Sequence, residues 1–394
     1  MPEWDDRDDA VFGIAGDSIV MSATRIYLDH AATTPLDPRV LEAMFPWMDG
    51  EYGNPSSQHE DGRRARQAID EAREIVSQHL GCLFGEVIFT SSGTEAANLA
   101  ILGSALEALK NGSARRRILM SAVEHHCVLH TQPTLDALGF SVEFLPVNHL
   151  GLVEKSTLEK ALGDDVLLTS IMHANNETGV IANPAEYAQI VKQAGSLFHV
   201  DAVQTLGTLP TQVEDLGVDL LHVSAHKIYG PKAVGALYIR AGVLLSPWVI
   251  GGGQERDMRA GTENVAGLVG FGAALSHFEK PNSEARDAFF QEMGDQILRT
   301  IPAEVPTLPC HAHFRIPGKS AENMLIRLDR AGISASSASA CSSGSQEPSH
   351  VLIAMGMSPE AAGECIRFSF GKGQDAETGR EAARRVKALL ASSP

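Results

Sequence analysis

Residues 87–109, VIFTSSGTEAANLAILGSALEAL, join a short apolar stretch to a long helical one. Val87 to Phe89 predict a strand, and residues 96–109 predict a helix. Between them, Thr90-Ser-Ser-Gly-Thr-Glu95 supplies hydroxyls and a glycine where the helix begins. Hydroxyl side chains cap helices in any protein, but the free N–H groups and dipole of a helix N-terminus also favour a phosphate. Both roles stay open for this segment.

The same alternation of strand and helix continues along the chain. Apolar residues recur every three or four positions in 61–80 and a glycine follows, so this segment predicts an amphipathic helix. Further strands are expected at 117–122, 141–147, 166–172, 197–201, 219–223 and 235–239, with helices at 131–138, 157–162 and 184–194. This order predicts an α/β fold with a large, mostly parallel seven-stranded sheet, covered on both faces. Ligands of such sheets bind beyond the carboxyl ends of the strands.

Composition excludes several classes of protein. The chain has 394 residues, 44% hydrophobic and 21% charged, enough for a large core and two domains. Its formal charge of −17 disfavours nucleic acid and anionic membranes as partners. There is no apolar run of membrane-spanning length and no signal-peptide pattern, and the five cysteines are scattered without a CxxC pair. We therefore expect a soluble cytoplasmic protein without a disulfide framework or a zinc ribbon.

A change of pattern near residue 266 predicts a second domain. Residues 1–22 hold six acidic side chains and one basic one without any helical or strand period, so we expect a disordered acidic tail. From about residue 266, longer helices accompany two or three strands. We therefore assign 37–265 to a large α/β domain, and 23–36 together with 266–394 to a smaller α+β domain.

Polar side chains follow two of the predicted strands. HVDAVQT places Asp201 at a strand end with Gln204 three residues on, and VSAHKIYGPK places Ser224, His226 and Lys227 after the next strand. A buried ammonium costs several kcal/mol unless it is paired or chemically altered, so Lys227 is either exposed or functional. Pyridoxal phosphate needs a lysine that holds its aldehyde as a Schiff base and a carboxylate that keeps its ring nitrogen protonated. Asp201 and Lys227 suit those two tasks.

Nine stretches, in order from about Tyr27 to Lys372, carry a family resemblance: YLDHAATTPLDPRV, YGNPSSQH, FTSSGTEAANLAI, IMHANNETGV, HVDAVQ, SAHKIYGPKAVGALYIR, GGGQERDMRAGTENV, SSASACSSGSQEPSHVL and IRFSFG. They resemble the cysteine desulfurases, which belong to the class V aminotransferase branch of fold-type I pyridoxal phosphate enzymes. The resemblance covers nearly the whole chain outside the acidic tail. It implies a fold-type I transferase with pyridoxal 5'-phosphate as its cofactor.

The resemblance also implies how the cofactor is held. Lys227 would form the Schiff base and then move the substrate Cα proton, while Asp201 would pair with the ring nitrogen. His125 would stack on the ring and act as acid or base toward the substrate. The ring hydroxyl would be bound by Asn176 and Gln204, and the phosphate by Gly93, Thr94, Ser224 and His226.

Two further implied roles lie at the substrate and at the neighbouring subunit. Arg367 would bind the substrate carboxylate through a bidentate pair, with Asn54 helping. Thr262 would reach the phosphate of the neighbouring subunit, which implies a homodimer.

Cys341 lies in a run of Ser, Ala and Gly, GISASSASACSSGSQEPSH, at 332–350. Such a run has little to bury and predicts a mobile loop at 333–347, either a linker with an incidental thiol or an arm that carries a thiol. In the family, the cysteine on this loop attacks the sulfur of the bound cysteine and becomes a persulfide, while the substrate becomes alanine. The resemblance thus implies L-cysteine as substrate and a protein sulfur acceptor as partner, for iron–sulfur cluster assembly, tRNA thiolation or similar uses. Ala338 stands where many relatives have Gly, which should stiffen the loop slightly.

Other interpretations stay open. A selenocysteine lyase would tolerate the loss of Cys341, and another class V enzyme of the aminotransferase type would make a keto acid. A non-catalytic sulfur-carrier scaffold would keep the fold without the chemistry, but it has no need for Lys227, Asp201, His125, Arg367 and Cys341 together.

The sequence also contains the spacing of a helical metal pair, His126-x-x-x-His130. Cys127 stands where a metalloprotease places its glutamate, so we expect no metal.

Overall fold

Strands from two separate sheets and one short pair carry the fold. The structure, a computed structural model, describes residues 25–337 and 348–392. In these residues the strands are β1 (Ile26–Tyr27), β2 (Val87–Thr90), β3 (Arg117–Ser121), β4 (Ser141–Leu145), β5 (Val166–Ser170), β6 (Leu197–Asp201), β7 (Leu220–Ser224), β8 (Gly235–Ile239), β9 (Leu298–Arg299), β10 (His311–Arg315), β11 (Ile333–Ser334), β12 (Ser336–Ser337) and β13 (Cys365–Ser369).

The helices lie between and after these strands. They are α1 (Pro38–Met44), α2 (Pro46–Asp49), α3 (Glu60–Leu80), α4 (Gly93–Lys110), α5 (His126–Leu129), α6 (Gln132–Ala137), α7 (Lys155–Ala161), α8 (Pro184–Gln193), α9 (Val213–Leu216), α10 (Val265–Ser276), α11 (Glu284–Met293), α12 (Ala321–Arg330), α13 (His350–Ala354), α14 (Pro359–Ala362) and α15 (Ala376–Ala391). Short 3₁₀ turns occur at Phe84–Glu86, Ala225–Lys227, Gln254–Asp257 and Gly294–Gln296. In the part of the chain described, none of these helices is both long enough and apolar enough to cross a membrane.

The large sheet has seven strands in the order β2-β8-β7-β6-β5-β3-β4. Strands β3 to β7 run parallel to one another, and β8 runs antiparallel to its neighbours β2 and β7. The prediction of a mostly parallel seven-stranded sheet is therefore confirmed. Strand β4 ends earlier than predicted because Pro146 follows it and has no N–H for the ladder.

Alternating side chains along the strands divide the core into two layers. Val87 and Phe89 pack in one layer with α3 and α10, while Ile88 packs in the other with α4. Both layers are apolar, as expected for a parallel sheet that is buried on both faces. The sheet therefore leaves its carboxyl-end loops, rather than a face, as the place for a site.

A second core belongs to a smaller unit. A four-stranded sheet in the order β12-β13-β10-β9 packs with α11, α12 and α15 around Phe289, Phe314 and Phe368. Five strands follow residue 266 in the described residues instead of the expected two or three, because β9, β11 and β12 span only two residues each. Helix α10 packs in the core of the large sheet, so we propose that the boundary between the two units follows α10.

A buried ion pair joins α3 to the edge of the large sheet. Both side chains are almost fully buried, and Arg73 Nη2 donates to Glu255 Oε1 at 2.6 Å. Arg73 also donates to the carbonyl of Val87 at 2.8 Å, and the amide of Phe89 donates to Glu255 Oε2 at 2.8 Å. Glu255 has φ of 46°, a left-handed conformation that a residue with a Cβ seldom adopts. The ion pair therefore fixes a strained loop against β2.

Removing Arg73 should destabilise the protein, because Glu255 would then be buried without its partner. We expect Arg73→Met to lower the free energy of unfolding by about 3–5 kcal/mol, because Glu255 is left charged and unpaired in the interior. The double variant Arg73→Met/Glu255→Gln should recover part of this loss. Urea unfolding followed by circular dichroism measures both. The control is Arg380→Met, which removes the exposed pair with Glu377 and should cost no more than about 1 kcal/mol. Equal losses of unfolding free energy in Arg73→Met and Arg380→Met would contradict the assignment of a stabilising buried ion pair.

Candidate active site

A cavity of about 440 Å³ opens at the carboxyl ends of β6 and β7. Ten of the predicted site residues line it: Gly93, Thr94, His125, Asn176, Asp201, Gln204, Ser224, His226, Lys227 and Arg367. Residues from 31–33 and from 232–233 complete its wall. The strands thus bring together side chains that are far apart in the sequence, and the small unit contributes Arg367 from β13.

Three predicted site residues are placed otherwise. Asn54 and Thr262 are exposed and do not line the cavity. They lie at one outer surface, because Arg66 bonds both the carbonyl of Pro55 and the carboxylate of Glu263. Cys341 lies outside the described residues.

The N-terminus of α4 forms one end of the cavity. Ser92 caps the helix by accepting a hydrogen bond from the amide of Glu95 at 3.0 Å. Gly93 lies close to two side chains, since a Cβ there would lie 3.2 Å from Val203 Cγ2 and 3.3 Å from Ser224 Cβ. An 18-residue helix therefore points its free amides and its dipole into the cavity at close range. This arrangement suits a phosphate.

Asp201 is a buried carboxylate at the end of β6. Its Oδ1 accepts a hydrogen bond from the amide of Val203 at 2.8 Å, and its Oδ2 lies 3.4 Å from His222 Nε2. Burial raises the pKa of Asp201, but His222, His125 and the Val203 amide lower it further, so that the pKa is well below its usual range. Asp201 is thus an anion facing the cavity, as a partner for a protonated ring nitrogen must be.

Lys227 follows β7 in a short 3₁₀ turn and is half-buried. Its Nζ donates to the carbonyls of Ala31 and Ala32, both at 2.6 Å. The neighbouring His226 bonds Thr33 Oγ1 at 3.1 Å, and burial, with Lys227 and Lys232, lowers the pKa of His226 to about 4. The segment 31–33 thus holds the lysine at the mouth of the cavity.

Arg367 is the buried cation of the opposite wall. Its Nη2 donates to Asp29 Oδ1 at 2.8 Å, and its Nη1 donates to the carbonyl of Asn176 at 2.9 Å. Its Nε is buried and has no hydrogen-bond partner among the described residues. A guanidinium that lines the cavity and has an unpaired N–H suits a carboxylate ligand.

His125 and Gln204 complete the site. His125 Nδ1 accepts a hydrogen bond from the amide of Cys127 at 3.1 Å, and burial lowers the pKa of His125, so the ring is neutral near pH 7. A neutral imidazole can accept or donate a proton. Gln204 Nε2 donates to the carbonyl of Ala31 at 3.0 Å.

Sequence reasoning missed His222 and Cys127, which also line the cavity. His222 lies inside the apolar run VDLLHV, which predicts a buried strand. A signal was present, because residues two apart on a strand share a face and Ser224 was already assigned to the site.

Comparisons with known proteins agree with this geometry. The family model described as aminotransferase class-V matches residues 26–378. The chain belongs to this family. The cysteine desulfurase IscS of Dictyoglomus turgidum is 46% identical over 88% of this chain and 89% of that protein. A solved structure named as a NifS-like protein is 36% identical, covers 93% of this chain and 100% of that chain, and superposes with a TM-score of 0.86. A second one, titled SspA in complex with cysteine, is 33% identical over 88% of this chain and 99% of that chain, with a TM-score of 0.79.

Members of the class-V aminotransferase family use pyridoxal 5'-phosphate, and the cavity fits it. The helix N-terminus at Gly93 suits the phosphate, Asp201 suits the ring nitrogen, and Lys227 suits the aldehyde. Arg367 remains for a substrate carboxylate. These residue roles stay predictions.

Glu177 follows Asn176 of the cavity wall, and its protonation state can be tested. Ser349 Oγ donates to Glu177 Oε2 at 2.5 Å, and Ser349 also caps α13. Burial raises the pKa of Glu177 to about 7, although Ser349 and Arg367 pull it down in part. The folded protein therefore keeps a proton on Glu177 that the unfolded chain, with a carboxyl pKa near about 4.3, releases.

The stability conferred by this proton should fall as the pH rises. Between about pH 4.5 and 7 the folded state binds more protons than the unfolded one, so wild type loses up to about 3 kcal/mol relative to Glu177→Gln across that range. Thermal unfolding midpoints of both proteins from pH 5 to 8 measure the difference. Glu159→Gln, at an exposed position, is the control and should run parallel to wild type. A pH-independent gap between wild type and Glu177→Gln would show that Glu177 does not titrate in this range.

Proposed function

We propose that this chain is a cysteine desulfurase that converts L-cysteine to L-alanine and carries the released sulfur as a persulfide on Cys341. The observation that carries the proposal is the single cavity that combines Lys227 and Asp201 with the unpaired Nε of Arg367. Lysine and carboxylate suit pyridoxal phosphate, and the guanidinium suits the carboxylate of an amino acid. The names of the relatives agree with this activity.

The bound cofactor would supply an electron sink for the bonds broken at the substrate Cα and Cβ. Lys227 would hold the cofactor and move the Cα proton through its Nζ. Arg367 would fix the substrate carboxylate, which orients the Cα–H bond toward the lysine. His125 is neutral and would exchange the proton of the substrate thiol or amine.

The sulfur leaves by nucleophilic attack. The thiolate of Cys341 would attack the substrate sulfur, so that an S–S bond forms and the C–S bond breaks. The electron pair of the C–S bond stays with the substrate carbon, which takes up a proton and becomes alanine. The sum is cysteine plus enzyme thiol giving alanine plus enzyme persulfide, without an external oxidant.

The chain on each side of residues 338–347 supports this role for Cys341. Ser336 pairs with Arg367 in the β12–β13 ladder, and β12 ends at Ser337. Ser349 bonds Glu177, and His350 Nε2 lies 3.0 Å from the carbonyl of Glu124. Four residues reach at most about 14 Å, so the covalent link from Ser337 keeps the proposed nucleophile within reach of the arginine.

The first experiment compares wild type with Cys341→Ala, supplied with L-cysteine and a reducing thiol. We expect wild type to form alanine and sulfide in equal amounts and Cys341→Ala to lose at least about 100-fold of both, because the nucleophile is absent. Cys127→Ala, which removes a thiol that lines the cavity, is the matched control and should stay within a few fold of wild type. Full activity of Cys341→Ala toward selenocysteine would favour a lyase instead, and production of a keto acid would favour a transaminase.

We also propose that the enzyme is a homodimer in which Thr262 completes the phosphate site of the partner subunit. Thr262 is exposed at the outer surface that also holds Asn54. Exposed apolar side chains occur near both residues: Tyr52, 88% exposed, is two residues before Asn54, and Ile250, 85% exposed, follows Val249, whose carbonyl bonds the amide of Ala260. Monomers rarely expose such groups together, which supports a second copy as their cover.

Subunit mixing tests this proposal. Lys227→Ala removes the Schiff-base lysine and Thr262→Ala removes the contributed hydroxyl, so each homodimer should be inactive or weak at limiting cofactor. A co-expressed one-to-one mixture should regain about a quarter of wild-type activity, because half of the dimers then contain one intact site of two. Sedimentation measures the dimer directly. A monomer in sedimentation, or no regain in the mixture, would contradict the shared site.

The persulfide would pass to a protein sulfur acceptor, such as an iron–sulfur scaffold. We place this exchange in the cytoplasm because the thiols are scattered and suit a reducing compartment. The net charge of −17 would steer a basic acceptor surface toward this chain.

A further inference from the structure

A line of buried polar side chains runs from the cavity into the interior of the large sheet. It consists of Asp201, His222, His199, Ser170 and Glu124, none of which is more than 6% exposed. His222 Nε2 lies 3.4 Å from Asp201 Oδ2, and His222 Nδ1 lies 3.0 Å from His199 Nε2. His199 Nδ1 lies 2.8 Å from Ser170 Oγ, which lies 3.4 Å from Glu124 Oε2. Successive polar atoms in the line are thus 2.8 to 3.4 Å apart.

Strand register produces this line. Asp201 pairs with His222 across β6 and β7, and Ser170 pairs with His199 across β5 and β6. The two imidazoles stack with ring centroids 5.1 Å apart and planes 5° apart. Neighbouring parallel strands therefore present the chain of groups side by side on one face of the sheet.

The two ends of the line fix its charges. Burial, with Asp201 nearby, raises the pKa of Glu124 well above its usual range, so Glu124 is a neutral carboxyl at neutral pH. Its Oε1 accepts a hydrogen bond from the amide of Met172 at 2.5 Å, which leaves the proton to Oε2. Burial lowers the pKa of His199 to about 3, so His199 is also neutral. At the other end, Asp201 is an anion and accepts only.

A neutral Glu124 at one end and an anionic Asp201 at the other favour one direction of the hydrogens along the line. A neutral Glu124 can donate from Oε2 to Ser170 Oγ, 3.4 Å away, and the hydroxyl of Ser170 can then donate to His199 Nδ1, 2.8 Å away. His199 carries its proton on Nε2 and donates to His222 Nδ1. This leaves the proton of His222 on Nε2, which makes no hydrogen bond among the described residues and lies 3.4 Å from Asp201 Oδ2.

We propose that Glu124, Ser170, His199 and His222 are positioning residues that form a one-directional hydrogen-bond relay, ending in a donor to Asp201. In this arrangement each imidazole carries a proton on Nε2. The inference rests on the proposed function in one respect only, namely that Asp201 partners the ring nitrogen of the cofactor.

The relay would weaken Asp201 as a base without removing its charge. A carboxylate that accepts one more hydrogen bond is a weaker base. The proton shared between Asp201 and the cofactor ring nitrogen would therefore stay more fully on the nitrogen. A more positive ring is a better electron sink. Glu124 thereby acts on the reaction from the far end of the line, without touching substrate or cofactor.

Other titratable groups face the cavity end of the relay. Cys127 Sγ lies within 4.8 Å of the facing atoms of Asp201 and His222. His125 and Lys227 interact electrostatically there, since both His222 and Lys227 contribute to the lowered pKa of His125. At the inner end, His350 bonds the carbonyl of Glu124. None of these groups lies between two members of the line, so variants of the line itself separate its effect from theirs.

Nitrogen NMR reads the tautomers directly. In holoenzyme labelled with ¹⁵N-histidine, solid-state spectra at pH 7 should show His199 and His222 each with a protonated Nε2 and an unprotonated Nδ1. The single variants His199→Phe and His222→Phe assign the two sets of signals. A doubly protonated His222, or an Nδ1–H form of either ring, would overturn the relay. This result does not depend on any turnover, so it separates a failed relay from a failed proposed function.

A matched pair of variants on β5 tests the effect on the cofactor. Ser170→Ala breaks the relay, whereas Thr169→Val removes the adjacent buried hydroxyl, which bonds Ser196 Oγ at 3.1 Å outside the relay. Both variants should lose a similar free energy of unfolding relative to wild type. Only Ser170→Ala, and likewise His222→Phe, should raise the pKa of the bound cofactor's visible absorbance band by about one unit and lower kcat about tenfold, with KM for cysteine within about threefold.

Glu124→Gln is the conservative variant. Its amide oxygen can take the place of Oε1 opposite Met172, and its amide N–H can still donate to Ser170, so the band and kcat should stay close to wild type. Glu124→Leu has no donor and should resemble Ser170→Ala. The proposal is wrong if Ser170→Ala and Thr169→Val give the same band pKa, or if Gln and Leu at position 124 behave alike.

Discussion

The rest of the site depends on the burial of one carboxylate, Asp201, because its charge must be stabilised by surrounding groups. A charged carboxylate in an apolar sheet is costly unless donors surround it. The backbone supplies one donor through the amide of Val203, where the chain turns after β6. The neighbouring strand places His222 Nε2 3.4 Å from Asp201 Oδ2, because parallel register puts these two residues opposite each other. The active centre thus depends on the alignment of β6 with β7 before any ligand arrives.

Close approach of backbone segments is the second requirement. Gly93 brings the start of α4 against Val203 and Ser224, so the helix dipole and the carboxylate face one small cavity from different sides. Gly235 allows β8 to lie against Ser92, where a Cβ would come within 2.5 Å of the Ser92 carbonyl carbon. A side chain at Gly235 would push the N-terminal end of α4 away from the sheet, and one at Gly93 would crowd Val203 and Ser224. The buried pair of Arg73 and Glu255 holds β2, the strand that leads into this helix.

Local sequence patterns predicted what depends on near neighbours. The bounds of β6 and β8 were predicted to the residue, since each is an apolar run closed by a polar or turn segment. The polar residues at the ends of β6 and β7 were assigned to a site for the same reason. What the residues alone could not provide is the approach of Arg367, which lies in a different sheet and reaches the cavity through packing of the small unit. Only the family resemblance pointed to it. His222 was missed because a histidine inside an apolar strand resembles a core residue until its neighbour across the ladder is known.

The hydrogen-bonded line behind Asp201 is not explained by stability. Well-packed apolar side chains in place of a buried polar network are often as stable or more so. Other positions on the same face of the sheet follow that solution, with Ile118 and Met120 on β3 and Leu168 on β5 packed with α4. On β5, β6 and β7, Ser170, His199 and His222 take buried positions that aliphatic side chains could fill. A network of this kind is tolerable only when every member is paired, and pairing fixes the direction of each hydrogen. An apolar core has no hydrogen bonds to orient. A line of hydrogen bonds with a fixed direction would act on Asp201, and through it on the charged ring nitrogen of the cofactor.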